Sequence, residues 1–176
     1  EMRRKFICAV ILSAMVCAAS SCGGSTTGNT SAAQTESPSV TEQAPAADFK
    51  AADVTEAVLA EIPINSAFEK NKESLEDYFD DLNTDAITDF SYYICASGAY
   101  PDEIAVFRFD SEDSAKSAVS SVQDRLSYQI EVYETYTPDE FYKLQNAVIK
   151  QNGEWVYYLV TSDNEKADTI VQGFIK

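Results

Sequence analysis

The chain contains no histidine. That absence removes Ser-His-Asp and Cys-His catalysis, imidazole metal ligation and histidine-based pH switching in one step. What survives is chiefly carboxylate-pair, lysine-based and carboxylate-metal chemistry. Basic residues are scarce as well. Thirteen Lys and Arg stand against 29 Asp and Glu, a net charge of -16 over 176 residues. Such a surface repels phosphate backbones and anionic headgroups, which argues against nucleic-acid binding. Calcium, cationic polymers and basic proteins stay compatible with it, as does simple solubility outside a cell. Long hydrophobic runs are lacking too. The apolar stretch from Phe6 to Ala19 would reach only about 21 Å as a helix, short of the roughly 30 Å hydrocarbon core of a bilayer.

What is present begins with that stretch. It follows Arg3-Arg4-Lys5 and ends in small residues before Cys22-Gly23-Gly24, the layout of a secretory leader. It resembles the lipobox of bacterial lipoproteins, in which the cysteine is lipidated and becomes the mature N-terminus. It departs from the usual pattern at Ala19, where a lipobox carries Leu. Ordinary cleavage after small residues, releasing a soluble protein, is the competing reading. Lipidation of Cys22 is the expectation, with residues 1–22 as leader and the outer face of the cytoplasmic membrane as the location. Two or more acyl chains would hold the protein there stably, whereas one would not. Losing the leader removes Glu1, Arg3, Arg4 and Lys5, leaving 10 basic and 28 acidic side chains and a net charge of -18. Cys8 and Cys17 leave with it and Cys22 is consumed, so Cys95 is a single thiol without an internal disulfide partner.

Residues 23–47 are chiefly Gly, Ser, Thr, Ala, Gln and Pro without aromatics, a composition that reads as a disordered tether. Residues 48–176 read as one α+β domain. Asp53-Val54-Thr55-Glu56 resembles a capping box opening a short helix that Pro63 stops. Leu75, Tyr78, Phe79 and Leu82 carry helical spacing. Phe90 to Cys95 and Glu103 to Phe109 read as a hairpin around the turn Ser97-Gly98-Ala99-Tyr100-Pro101-Asp102. Ser111 to Tyr136 is a long amphipathic helix with Ala115, Ala118, Val119, Val122, Leu126, Ile130 and Tyr133 on its apolar face. Pro138-Asp139-Glu140 opens a short helical turn. A second hairpin turns at Asn152-Gly153, and Asp163 to Phe174 closes the chain as a helix. The expected architecture is an antiparallel sheet of about four strands, with the long helix and the C-terminal helix on one face.

Glu103-Ile104-Ala105-Val106-Phe107-Arg108-Phe109 aligns with Glu154-Trp155-Val156-Tyr157-Tyr158-Leu159-Val160, which raises a ββα duplication as one reading. Any strand followed by a capped helix would align in the same way.

Assembled in order, these pieces carry a family resemblance. The leader and tether are followed by Gly98-Ala99-Tyr100-Pro101-Asp102-Glu103-Ile104-Ala105-Val106-Phe107, then Arg125 and Gln129, then Tyr136-Thr137-Pro138-Asp139-Glu140. The chain resembles the small lipoproteins of Clostridia-type Gram-positive bacteria classed as domain of unknown function 4358, over roughly Asp53 to Ile175. The resemblance implies the address and a single domain. It brings no activity, cofactor or catalytic residue.

Several constellations invite chemistry and also have plain explanations. Asp81, Asn83 and Asp85 match the first ligand positions of a calcium loop, but Ala86 stands where glycine is needed and Tyr92 where a bidentate Glu belongs. No metal or other cofactor is therefore expected. Asp102/Glu103, Glu112/Asp113 and Asp139/Glu140 are adjacent carboxylates. A glycosidase needs such a pair across a cleft, whereas acids before a helix are ordinary first-turn residues. Arg125 lies beside the apolar stripe and is placed to pair with an acid such as Glu103, or to bind an anionic ligand. Cys95 reads as a buried, inert thiol. If helices cover only one sheet face, Tyr93, Phe107 and Tyr158 form an aromatic interaction surface on the other.

The expectation is a lipid-anchored, non-enzymatic binding module meeting an unknown protein or glycan of the cell envelope. The alternative is a carboxylate-dependent hydrolase acting on cell-wall glycan.

Overall fold

The computed structural model describes residues 48–176; the leader, Cys22 and the tether read from the sequence lie outside them. Five strands form one antiparallel sheet in the order β1-β2-β3-β5-β4: β1 Ala67–Glu69, β2 Ile87–Cys95, β3 Glu103–Phe109, β4 Val148–Asn152 and β5 Trp155–Val160. Four α-helices accompany it, α1 Ala51–Glu61, α2 Glu112–Tyr136, α3 Phe141–Gln145 and α4 Asn164–Phe174. None of the described helices is long and apolar enough to cross a membrane.

Local chemistry accounts for most boundaries. Ser111 caps α2 by accepting the Ser114 N–H at 3.2 Å, Glu112 and Asp113 fill its first turn, and Pro138 ends it. Asp163 caps α4 by accepting the Lys166 N–H at 3.0 Å. Gly98 and Gly153 take φ of +64° and +56° at the hairpin turns, a conformation that costs glycine little. The second turn sits one position later than expected. Asn152 pairs with Trp155 across the ladder, so the two-residue loop is Gly153-Glu154.

The fifth strand is β1, which pairs with β2 through Ala67↔Cys95 and Glu69↔Tyr93. Its three residues are all exposed, so no alternation marked them as a strand. The stretch around Leu75 forms a 3-10 helix, Lys72–Asp77, capped by Asn71, where the spacing of Leu75 to Leu82 pointed to a short helix a few residues later. Eight residues are too few for an independent helix. The path there is set by Leu75, Phe79 and Leu82 entering the core. Helix α1 starts at Ala51, two residues before the expected cap. Asp53 accepts the Lys50 N–H and Asp89 of β2 accepts the Ala51 N–H, each at 2.7 Å.

The expectation that the long and C-terminal helices share one face is corrected. Ala105, Phe107 and Phe109 of β3, with Tyr158 of β5, pack against Ala115, Ala118 and Val122 of α2. Ile104 and Val106, with Tyr157 and Leu159, pack on the other side against α1 and α4 through Val54, Val58, Ala167 and Val171. A central strand apolar at consecutive positions has two faces to bury, and Ile104-Ala105-Val106-Phe107 is such a run. The open aromatic face is corrected with it. Phe107 and Tyr158 are wholly buried beneath α2, and Tyr93 lies on the opposite face, opposite Ile104. The duplication fares the same way. Val106 and Tyr157, equivalent in the alignment, sit directly opposite each other, as a two-fold between the hairpins requires. That rotation would keep both helices on one face, and they leave to opposite faces.

Candidate functional site

Glu103 opens β3 and points toward α2. From the middle of that helix Arg125 meets it with both prongs of its guanidinium, Nε lying 3.2 Å from Oε2 and Nη2 closing on Oε1. The pair is buried. Burial pushes the Glu103 carboxyl up from its ordinary range, with Arg125 opposing it. Burial also works against the charge on Arg125, but Glu103 more than offsets it and the guanidinium stays charged. The rings of Tyr78 and Tyr128 flank that guanidinium at 5.0 and 5.6 Å, the geometry of cation–π contact.

One helical row organises the neighbourhood. Arg125, Gln129 and Tyr133 recur every four residues, so they share a face of α2. Gln129 donates to the Pro101 carbonyl at 3.2 Å and accepts from the Tyr158 hydroxyl. Tyr133 donates to the carbonyls of Gly98 and Tyr100 at 3.0 and 3.1 Å. Together the row clamps the tip of the β2–β3 hairpin. Tyr92 stands in the same core, its buried hydroxyl within reach of the Glu103 carboxylate but without a well-formed hydrogen bond to it. Burial, then the field of Glu103, pushes that phenol well above its ordinary range.

Asp102 is held separately. Lys143 of α3 lies 2.7 Å from its Oδ2 and 2.6 Å from Glu140 Oε2. Burial raises the Asp102 carboxyl against the pull of Lys143. Burial lowers and the two acids raise the Lys143 ammonium, with a net rise that keeps it protonated. The adjacent acids are thus each bound to a cation of a different helix. A glycosidase pair needs two carboxyls free to face one cleft. The remaining acid pairs serve as first-turn and surface groups, Glu112 reaching Lys116 at 2.6 Å. Asp81 and Asn83 line a cavity of about 250 Å³ with Asp113 and Ser114. Among the described residues no three His, Cys, Asp or Glu side chains gather closely enough to hold a metal ion. Cys95 is buried, its Sγ 3.2 Å from the Ser97 hydroxyl.

Above the Glu103–Arg125 pair runs a groove of about 580 Å³, walled by Tyr78 on one side and by Tyr128, Val132 and Tyr133 of α2 on the other. Asp77, Asp80 and Asp124 stand on its rim and Arg125 and Gln129 on its floor. The row 128–132–136 neighbours the clamping row and faces solvent, with Tyr128, Val132 and Tyr136 exposed by 59%, 40% and 70%. Sequence reasoning placed Arg125 and Glu103 together and missed the groove. Its one available signal was Tyr128, a large aromatic standing off the apolar stripe of a long helix.

Fold and site define a class, an α+β domain whose five-stranded antiparallel sheet is covered on both faces and whose surface feature is an aromatic groove over a buried ion pair. The profile of the family described as "Domain of unknown function (DUF4358)" matches residues 60–161, more than half of the chain, and the chain belongs to that family. The match runs from the end of α1 to just past β5, so it contains the groove and the clamp and leaves out α4. No curated protein and no solved structure matches the chain.

Proposed function

We propose that this protein is a lipid-anchored, extracytoplasmic binding module that engages an envelope partner through the groove above Arg125. The observation that carries the reading is the pairing of a built floor with an open wall. Arg125 and Gln129 are locked in place by Glu103, Pro101 and Tyr158, while Tyr128 and Val132 remain exposed beside them. Rigid floors with exposed aromatic walls suit recognition. The adjacent acids Asp102 and Glu103 and the buried Lys143 are each held in an ion pair, which favours binding over catalysis by them. The leader layout and Cys22 support the address, and the acidic, histidine-free composition suits it.

The test is direct. Isotope-labelled full chain is mixed with envelope extract, and backbone amide signals are followed. Shifts centred on Tyr78, Tyr128 and Val132 are expected. A folded chain whose groove signals stay unmoved, or release of sugar from cell-wall glycan that Asp102→Asn abolishes, would overturn the binding reading. The address is tested apart from it: Cys22→Ala is expected to leave the membrane fraction, and continued membrane association would sink the anchor.

A further inference from the structure

The geometry points to the chemistry of the groove's occupant: a basic, amphipathic segment of a partner polypeptide, its cationic heads at Asp80 and Asp124 and its apolar side chains along Tyr128, Val132 and Tyr136. This rests on reading the groove as a binding site and names what that site takes.

Charge selects the class. Arg125 is the cation that lines the groove, and Glu103 cancels its charge beneath the surface, while Lys70 beside the Tyr78 wall is outnumbered by the three acids of the rim. The floor is therefore neutral at a distance, and the rim sets the field. Asp77, Asp80 and Asp124 form no ion pair among the described residues. Helix α2 deepens that field. Its last turn carries no basic residue, although the negative end of the helix dipole lies there and ordinarily draws Lys or Arg. Instead Glu131 and Glu134 are exposed along the same half of the helix, and Asp139 follows its end. A helix that repels its own C-terminal charges gains from cations supplied by a partner.

Apolar spacing selects the shape. Tyr128, Val132 and Tyr136 recur every four residues, so they form one line along α2 instead of a flat platform. A helix laid beside α2 with apolar residues at the same interval meets that line and leaves its basic residues over the acidic rim. The aromatic rings already accept cations, Lys70 lying 4.4 Å from the centre of Tyr78 and Arg125 5.6 Å from that of Tyr128. A neutral sugar could stack on Tyr128 but would leave the rim acids and Tyr136 unused.

The experiment uses the full chain and a fluorescein-labelled helical peptide of Lys and Leu, about 14 residues long, with a Glu/Leu peptide of the same pattern alongside. Saturable binding of the Lys/Leu peptide is expected, read by anisotropy, and no binding of the Glu/Leu peptide. Tyr128→Ser with Val132→Ser, both at exposed positions, is expected to weaken binding about tenfold or more. Asp80→Asn with Asp124→Asn should weaken it and flatten its salt dependence. Equal affinity for wild type and the Tyr128→Ser, Val132→Ser variant would overturn the inference, because adhesion would then follow net charge alone. Envelope extract or a chitin oligosaccharide shifting the Tyr128 and Val132 amides, while the Lys/Leu peptide leaves them unmoved, would overturn it too and leave the binding reading standing.

Discussion

Glu103 and Arg125 join across 22 positions of sequence, one from the first residue of β3 and the other from the middle of α2, and their two-pronged contact is largely buried. The pair fastens the long helix to the centre of the sheet. It also sets the floor of the groove. Consequences for stability and for recognition can therefore be separated by choosing which residues to change.

Removing one partner leaves the other charge buried. Glu103→Gln is expected to destabilise the domain by about 3–5 kcal/mol in urea unfolding, the range for a broken buried pair. Replacing both partners, Glu103→Leu with Arg125→Met, should recover most of that loss, since two buried charges are removed together. A double variant as unstable as the single one would show that the pair's hydrogen bonds, not the orphaned charge, carry the effect.

Gln129 satisfies the Pro101 carbonyl and the Tyr158 hydroxyl at once. Gln129→Leu keeps the volume and orphans both groups, so a loss of about 2–4 kcal/mol is expected. Urea midpoints at unchanged slope measure it. Exposed neighbours on the same helix behave differently, and Val132→Ser should change stability by less than about 0.5 kcal/mol.

Tyr92 is buried with its hydroxyl near Glu103 but without a well-formed hydrogen bond. Tyr92→Phe deletes a dry hydroxyl and keeps the ring's packing on Tyr78 and Phe79. Stability is expected to hold or rise by up to about 1 kcal/mol. A loss of about 1 kcal/mol or more would mean that the hydroxyl bonds the Glu103 carboxylate.

The same tyrosines predict alkaline unfolding. Burial raises the phenols of Tyr92, Tyr157 and Tyr158 above their ordinary value of 10.0. An acid whose folded pKa is raised contributes stability that is fully present below its unfolded pKa and is lost as pH climbs toward the folded one. Stability should thus fall from about pH 10 upward. These three should ionise together with loss of circular dichroism, after the exposed tyrosines, as followed by tyrosinate absorbance. Tyr92→Phe should move the alkaline midpoint to higher pH.

How much of this was legible follows from where the information lies. Capping by Ser111 and Asp163, the stop at Pro138 and the turns at Gly98 and Gly153 are local events within a few residues, and the order of elements could be read from them. The period of Ala115, Ala118 and Val122 identified the long helix because burial repeats with the helical turn. Arg125 and Glu103 were legible as partners because cations are scarce. Strand β1 was not, since its three residues are exposed and their strand character comes entirely from pairing with β2. The 3-10 turn at Lys72–Asp77 and the start of α1 escaped for a similar reason, as Leu75, Phe79 and Asp89 act through contacts far along the chain.

The sequence alone determined the long helix, the C-terminal helix and the two hairpins, the exclusion of histidine chemistry, the acidic surface and the leader-like beginning, because each depends on composition or on neighbours in the chain. Only the tertiary structure decided that both faces of the sheet are covered, that Phe107 and Tyr158 are buried, and that Tyr78 and Tyr128 flank one guanidinium. Which face a helix takes and which aromatics stay exposed depend on competition for buried area among distant elements, and no local pattern records the outcome of that competition.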